Sequence, residues 1–436
     1  DDTLDAIPAT EAAGCQPPEG ELTDRMSLPV TVHETFCPAE LIHTPAGEQV
    51  FDMGQEFTGI FSLKINEPAG TRIHIQTGEI LQQGNFYNAN LRSAKSEYYY
   101  TTPGGERTIV PHFTFYGYRY VKVEGVSNLK AEDFVGWAYY SDIEAKGKLR
   151  TGHELVNRFL ENVKWGLQGN FVDVPTDCPQ RDERMGWTGD AQAFCPTANF
   201  NMDCEAFYTK YMKDLLIEQK KEEGRTPDVA PMMVSREYQK THPVLSSGGR
   251  CGWADAAAIV PWETYLASGD PAILENSYDN MKGWADWVYR YDEAHGGTRL
   301  WLGLEFHFAD WLALDGPESG FNPESTLGGT DVTFLCSAYY YKSTCCVRDA
   351  ARVLGKTWDY AIYKKRSEEI LDAVRREYYT PGGRCAAHTQ TGHAISLVFG
   401  LAPEHARRKI LDSLGLLLVQ NKMHLKTGFL GTPVLC

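Results

Sequence analysis

The chain has 436 residues and a net charge of −16, with 42% hydrophobic and 12% aromatic residues. That is enough apolar material for two or three packed domains. The acidic balance argues against nucleic acid as a partner, because phosphate neutralisation calls for clustered Lys and Arg. No apolar run comes near the roughly 20 residues of a membrane span; the longest, Leu414–Val419, is a fraction of that.

The 11 cysteines are scattered, with no CxxC, and no HExxH occurs. In a chain of this size they read as free, mostly buried thiols rather than a disulfide framework. A reducing, cytoplasmic setting is therefore expected, and neither a metal nor another cofactor. The sequence opens on Asp1 without a Met or leader, so its natural beginning is expected to lie upstream.

Residues 1–28 are rich in Ala, Gly, Pro and Glu and read as a linker or the remnant of a preceding domain. From 29 to 146 the hydrophobic period is two. Phe61, Leu63 and Ile65 share one face; Ile73 and Ile75 alternate with Arg72, His74 and Gln76; Arg119, Val121 and Val123 alternate with Tyr120 and Lys122. Turn signals at Pro68-Ala69-Gly70 and Pro103-Gly104-Gly105 separate the runs. Short alternating strands between frequent turns predict an antiparallel β-sandwich.

From 147 to 436 the period becomes helical. Val156, Leu160, Val163 and Leu167 fall on one helix face. Further helices are predicted near 190–200, 203–222, 254–268, 271–292, 331–354, 359–379, 390–400 and 403–421. A succession of antiparallel helices suggests an α/α toroid or a related array, with fewer helices than a closed ring of six pairs requires.

One segment concentrates chemistry. Asp177-Cys178-Pro179-Gln180-Arg181-Asp182-Glu183-Arg184-Met185-Gly186-Trp187-Thr188-Gly189-Asp190 carries four carboxylates, two arginines and a tryptophan in fourteen residues. Pro179, Gly186 and Gly189 break a continuous helix, so the segment is expected as a loop at a helix end. A merely solvated charged turn would need neither the glycines nor the tryptophan. Glycoside cleavage suits the cluster: one carboxyl must be protonated to serve the leaving oxygen, and adjacent carboxylates oppose each other's ionisation. Trp187 offers a flat apolar wall to a sugar face, and Asp177, Arg181 and Asp190 offer hydrogen bonds to hydroxyls. Asp177, Asp182 and Asp190 push the Glu183 pKa up, while Arg181 and Arg184 push it down.

This block, with Gly169-Asn170-Phe171-Val172-Asp173-Val174-Pro175-Thr176 before it, resembles the signature of bacterial α-L-rhamnosidases of glycoside hydrolase family 78. So do Phe51–Gly59, Asn90–Lys95 and Pro111–Val121 in the β part. In the helical part, Gly252-Trp253-Ala254-Asp255, Val260-Pro261-Trp262, Ala309-Asp310-Trp311-Leu312 and Thr427–Pro433 are similar too. The resemblance implies a β-sandwich followed by an (α/α)6 barrel that removes terminal α-L-rhamnose with inversion. It implies Glu183 as general acid, Asp177, Arg181 and Asp190 as rhamnose ligands, Trp187 stacking nearby, and Trp253 and Trp311 lining the pocket, with Asp255 and Asp310 beside them. A rhamnose-containing glycoside is the implied partner; a homo-oligomer is left open.

In the resembled family a Trp-Glu motif beyond the Gly-Phe-Leu-Gly-Thr-Pro segment supplies the general base, and a closing β-sandwich follows. Here the chain ends at Cys436, soon after Pro433. The barrel is accordingly expected to be incomplete at its C-terminal end. Three readings stand: a piece of a longer chain, a substitute carboxylate, or a rhamnoside-binding protein without turnover. Glu263 and Glu305 are the nearest substitutes. Trp262, Trp284, Trp287 and Trp358 are assigned to core packing, as are the Tyr98–Tyr100 and Tyr339–Tyr341 triplets; His307 is assigned a hydrogen-bonded structural role.

Overall fold

The computed structural model describes residues 23–233, 248–302, 306–316 and 325–436. Most of the expected linker, and Glu305, lie outside the described residues.

The β part is organised about one long strand, β3 (Gln49–Glu67). Its first half pairs with β2 (Glu40–His43) and β9 (Tyr116–Glu124); its second half pairs with β10 (Phe134–Ser141) and β8 (Gly105–Ile109). With β1 (Val30–Phe36), β4 (Arg72–Gly78) and β7 (Glu97–Thr101) they form an eight-stranded antiparallel sheet, ordered β1-β10-β3-β9-β4-β7 along its main path. A hairpin of β5 (Ile80–Gln82) and β6 (Asn85–Tyr87) stands beside it. The expected alternation holds. Phe61, Leu63, Ile65, Ile73, Ile75, Val121 and Val123 all fall in one buried cluster with Phe51, Phe57, Tyr118 and Phe134. Each such side chain contributes about 1.5–3 kcal/mol through burial. A small ribbon, β11 (Phe171–Val172) and β12 (Val174–Pro175), leads from the first helix into the site.

The helical part contains α1 (Glu154–Asn170), α2 (Thr188–Asn201), α3 (Glu205–Lys221), α4 (Ala256–Ser268) and α5 (Ala272–Ala294). These are followed by α6 (Val332–Val353), α7 (Thr357–Tyr378), α8 (Gln390–Val398), α9 (Arg407–Gln420) and the short α10 (Gly431–Leu435). Their boundaries follow local chemistry. The Asp331 carboxylate accepts the Phe334 N–H to start α6, and the Thr389 hydroxyl accepts that of Gly392 to start α8. Gly269, at φ +74°, closes α4 in the left-handed conformation. One buried cluster runs through the helices, with Trp284, Trp301, Tyr340 and Tyr363 among its largest members.

Two expectations need correction. Of the α1 stripe only Leu167 is buried, while Val156 is exposed. The helix meets the sheet through its C-terminal turns, where Trp165 packs on Phe36 and the Thr58 hydroxyl donates to the Gly169 carbonyl. Trp358 is 79% exposed rather than core. It sits in the first turn of α7 on the side opposite the buried Tyr363, Ile370 and Val374. Trp284 is fully buried, and Trp262 and Trp287 pack against the same core.

Candidate active site

The charged segment runs as a loop from β12 to Trp187, and its last residues, Thr188–Asp190, form the first turn of α2. It is pinched shut at its base: the Asp177 N–H donates to the Met185 carbonyl (3.1 Å), and the Met185 N–H donates to the Asp177 carboxylate (3.0 Å). The Ala230 N–H donates to the Gly186 carbonyl and the Thr188 N–H to the Asp228 carbonyl, tying the loop to the chain after α3. Gly189 is required by close approach, since a Cβ there would run into the indole of Trp253.

Within this loop the Asp177 and Glu183 carboxylates and the Cys178 thiol have ligand atoms all within 4.8 Å of one another. Arg181 Nη2 donates to Glu183 Oε2 at 3.0 Å, and Arg92 Nη2 reaches the same oxygen at 2.9 Å. Arg92 also pairs with Asp182 at 2.6 Å. Burial raises the Glu183 pKa, as does the adjacent Asp177 carboxylate, and both outweigh the opposing pull of Arg92 and Arg181. The balance that the sequence leaves open thus falls toward a raised pKa. Burial also pushes Asp190 up to about 7, helped by Asp177 and Glu183. Arg181 Nε and Gln180 Oε1 are buried without a protein partner; such atoms are ordinarily satisfied by solvent or ligand.

An aromatic wall stands over the loop. Phe308 is its hub, with ring centroids 6.1 Å from Trp187, 4.5 Å from Trp253 and 5.6 Å from Trp311. Trp253 is 4% exposed, packed between Phe308 and Phe429, so it backs the wall. Trp187 and Trp311 remain partly open. Phe308 carries no motif of its own; only its place beside His307 near Trp311 marks it in the sequence.

Asp255 and Asp310 are both fully buried and face the protein. Asp255 accepts from Trp284 Nε1 and the Ser343 hydroxyl through one oxygen and from the Gly252 N–H through the other. Asp310 accepts from the N–H groups of Gly428, Leu430 and Gly431 and from the Thr391 hydroxyl. These two carboxylates therefore frame the wall from behind, in place of the pocket-side positions that the sequence suggested. His307 is also structural: its Nδ1 accepts the Cys251 N–H at 3.0 Å. Glu263 pairs with Lys342 at 3.5 Å and lines a separate cavity among α2, α4 and α6.

A cavity of about 680 Å³ opens on the outer side of the loop, where the sheet meets the helical part. Arg92, Phe113 and Phe115 from the sheet domain face Asp182, Glu183, Met185 and Trp187 across it. The stretches around residues 92 and 113 resemble the family in sequence, but no local pattern there points to this contact.

Residues 144–436 match the bacterial α-L-rhamnosidase six-hairpin glycosidase domain, and residues 42–140 match the bacterial α-L-rhamnosidase concanavalin-like domain. An α-L-rhamnosidase of Alteromonas sp. strain LOR is 33% identical over 420 residues, covering 95% of this chain and 44% of that protein. One of Formosa agariphila is 35% identical over 399 residues, covering 89% of this chain and 40% of that one. The crystal structure of the Streptomyces avermitilis α-L-rhamnosidase complexed with L-rhamnose superposes with a TM-score of 0.83 at 32% identity. That match covers 94% of this chain and 37% of the other. The Aspergillus terreus α-L-rhamnosidase gives a TM-score of 0.86 at 30% identity, covering 97% of this chain and 47% of the other. The chain spans less than half the length of each of these relatives. With both domains matched in order, the chain belongs to the bacterial α-L-rhamnosidase family.

Proposed function

We propose that the chain removes terminal α-L-rhamnose from rhamnosides, with inversion, and that Glu183 is the general acid. The observation that carries this reading is the Glu183 carboxyl at the edge of an open cavity, its proton affinity raised by burial and by Asp177. Protonated Glu183 gives its proton to the departing oxygen as the glycosidic bond breaks, so the leaving group departs neutral. Water attacks the anomeric carbon from the opposite face, activated by a carboxylate roughly 6.5–9.5 Å from the acid. Asp177 and Asp190 bind hydroxyls and stabilise the cation-like transition state. Arg181 Nε, a buried donor without a protein partner, is satisfied by a sugar hydroxyl. Trp187 and Trp311 supply the apolar surface for the ring's C–H face.

The test is hydrolysis of methyl α-L-rhamnoside, a substrate with a poor leaving group, followed by NMR. Turnover releasing the β-anomer first is the expected result; release of the α-anomer first rejects inversion. Glu183→Gln lowers kcat on this substrate by about 10²–10⁴. Unchanged turnover in that variant rejects the acid assignment. L-rhamnose binding in calorimetry without turnover of any rhamnoside favours a binding protein instead.

A further inference from the structure

Behind the aromatic wall the fold gathers a second group of side chains, one that the sugar chemistry does not use. Cys251, His307 and Cys336 are 0%, 6% and 1% exposed, and one ligand atom of each lies within 4.8 Å of the other two. No spacing motif announces them. Cys251 and His307 stand 56 positions apart, and Cys336 lies on α6. Only the packing of three separate segments makes the cluster. Among the described residues one other group of this kind occurs, Asp177, Cys178 and Glu183, and it belongs to the charged loop.

The donor set decides what the cluster suits. Two thiols and an imidazole favour zinc and other thiophilic cations over magnesium or calcium, which take oxygen ligands. Buried charge must be balanced, and two thiolates neutralise a divalent cation. His307 is in the right form to join them. Its Nδ1 accepts the Cys251 N–H at 3.0 Å, so this nitrogen carries a lone pair and the ring proton sits on Nε2. A cation takes that same lone pair, and the released N–H has thiolate sulfur to donate to. Trp301 adds an independent sign. Its ring centroid is 5.1 Å from that of His307, and its buried Nε1–H has no protein partner. Buried donors are ordinarily paired, and three protein ligands leave the fourth position of a zinc tetrahedron to a water.

The placement gives such an ion a task. Cys251 stands two residues before Trp253, and His307 immediately before Phe308. Those two rings pack with centroids 4.5 Å apart at the centre of the wall. We propose that Cys251, His307 and Cys336 bind a thiophilic divalent cation, zinc, which clasps the two wall segments to α6 from behind. The ion acts through the wall and not on the sugar. It stands against the expectation from sequence that the chain holds no metal.

The experiment strips the chain with EDTA, reduces it, and titrates it with Zn²⁺ against a chromophoric chelator and with Co²⁺ in the near ultraviolet. One Zn²⁺ per chain is expected, with a thiolate-to-cobalt charge-transfer band and a thermal midpoint that rises with Zn²⁺. Cys251→Ser and Cys336→Ser each weaken Zn²⁺ binding by at least about a hundredfold, while Cys178→Ser leaves it within about twofold. A wild-type chain that takes up no stoichiometric Zn²⁺, or shows no charge-transfer band, overturns the proposal. So does binding that survives Cys251→Ser. Binding that Cys178→Ser abolishes places the ion at the charged loop and also overturns it. Circular dichroism in EDTA checks that the variants fold, and the wild-type cobalt spectrum decides the matter without any variant. None of these readouts needs turnover, so the proposal stands or falls apart from the rhamnosidase reading.

Discussion

Two sets of carboxylates sit beside tryptophans in this molecule, and they do opposite work. Asp255 and Asp310 are buried and saturated, with three and four protein donors respectively. Asp177, Glu183 and Asp190 are crowded against one another, and Glu183 and Asp190 are pushed toward the protonated form. The first set spends its oxygens on protein donors, backbone N–H groups and side chains alike; in the second, burial and neighbouring carboxylates raise the proton affinity of Glu183 and Asp190. Closeness to a tryptophan in sequence therefore says little about function, whereas the donors around each oxygen say a great deal.

The sharpest way to break this contrast is to truncate one member of each set. Asp310→Ala strands four donors behind the wall and is expected to lower unfolding free energy by at least about 3 kcal/mol, measured by denaturant titration. Glu183→Gln in the same assay should stay within about 0.5 kcal/mol of wild type. Similar losses for both variants would erase the distinction.

A second effect is expected for Asp190. Its folded pKa of about 7 lies above its ordinary value of 3.8, so the folded state holds the proton more tightly than the unfolded chain. The associated stability is fully present below about pH 4 and is lost as pH rises through about 7. Urea midpoints of Asp190→Asn should therefore gain on wild type across that window. Parallel pH profiles would show that Asp190 titrates normally.

The smallest effect tests the coupling between domains. Arg92 opposes the raised pKa of Glu183, so Arg92→Ala raises it further. A general acid must be protonated, so the limb of kcat/KM that falls with rising pH should move to higher pH. The ion pairs of Arg92 are partly exposed and worth about 1 kcal/mol or less, so the melting point should move little. An unshifted limb would disconnect Arg92 from the acid.

Much of the frame was legible in the sequence because periodicity reports directly on burial. The alternation of Phe61, Leu63 and Ile65 marks the inner face of β3, and the glycines of the charged segment mark a loop. The roles of Asp255 and Asp310 were not legible, because no local pattern states which way a carboxylate turns or how many N–H groups await it. The donors to Asp310 come from residues 391 and 428–431, far along the chain. Arg92 was hidden for the same reason: it stands 91 positions before Glu183, and only the packing of sheet on loop brings them together. Trp358 misled because aromatic bulk suggests burial, while its angle on α7 sends it outward.

The contact between Arg92 and Glu183 makes the proposed acid a property of two domains at once. A helical part transplanted onto a foreign sheet would keep Glu183 yet give its carboxyl a different proton affinity. Conversely, a substitution at position 92, in a strand connection far from the loop in sequence, would retune that carboxyl while leaving Asp177, Arg181, Trp187 and Asp190 untouched.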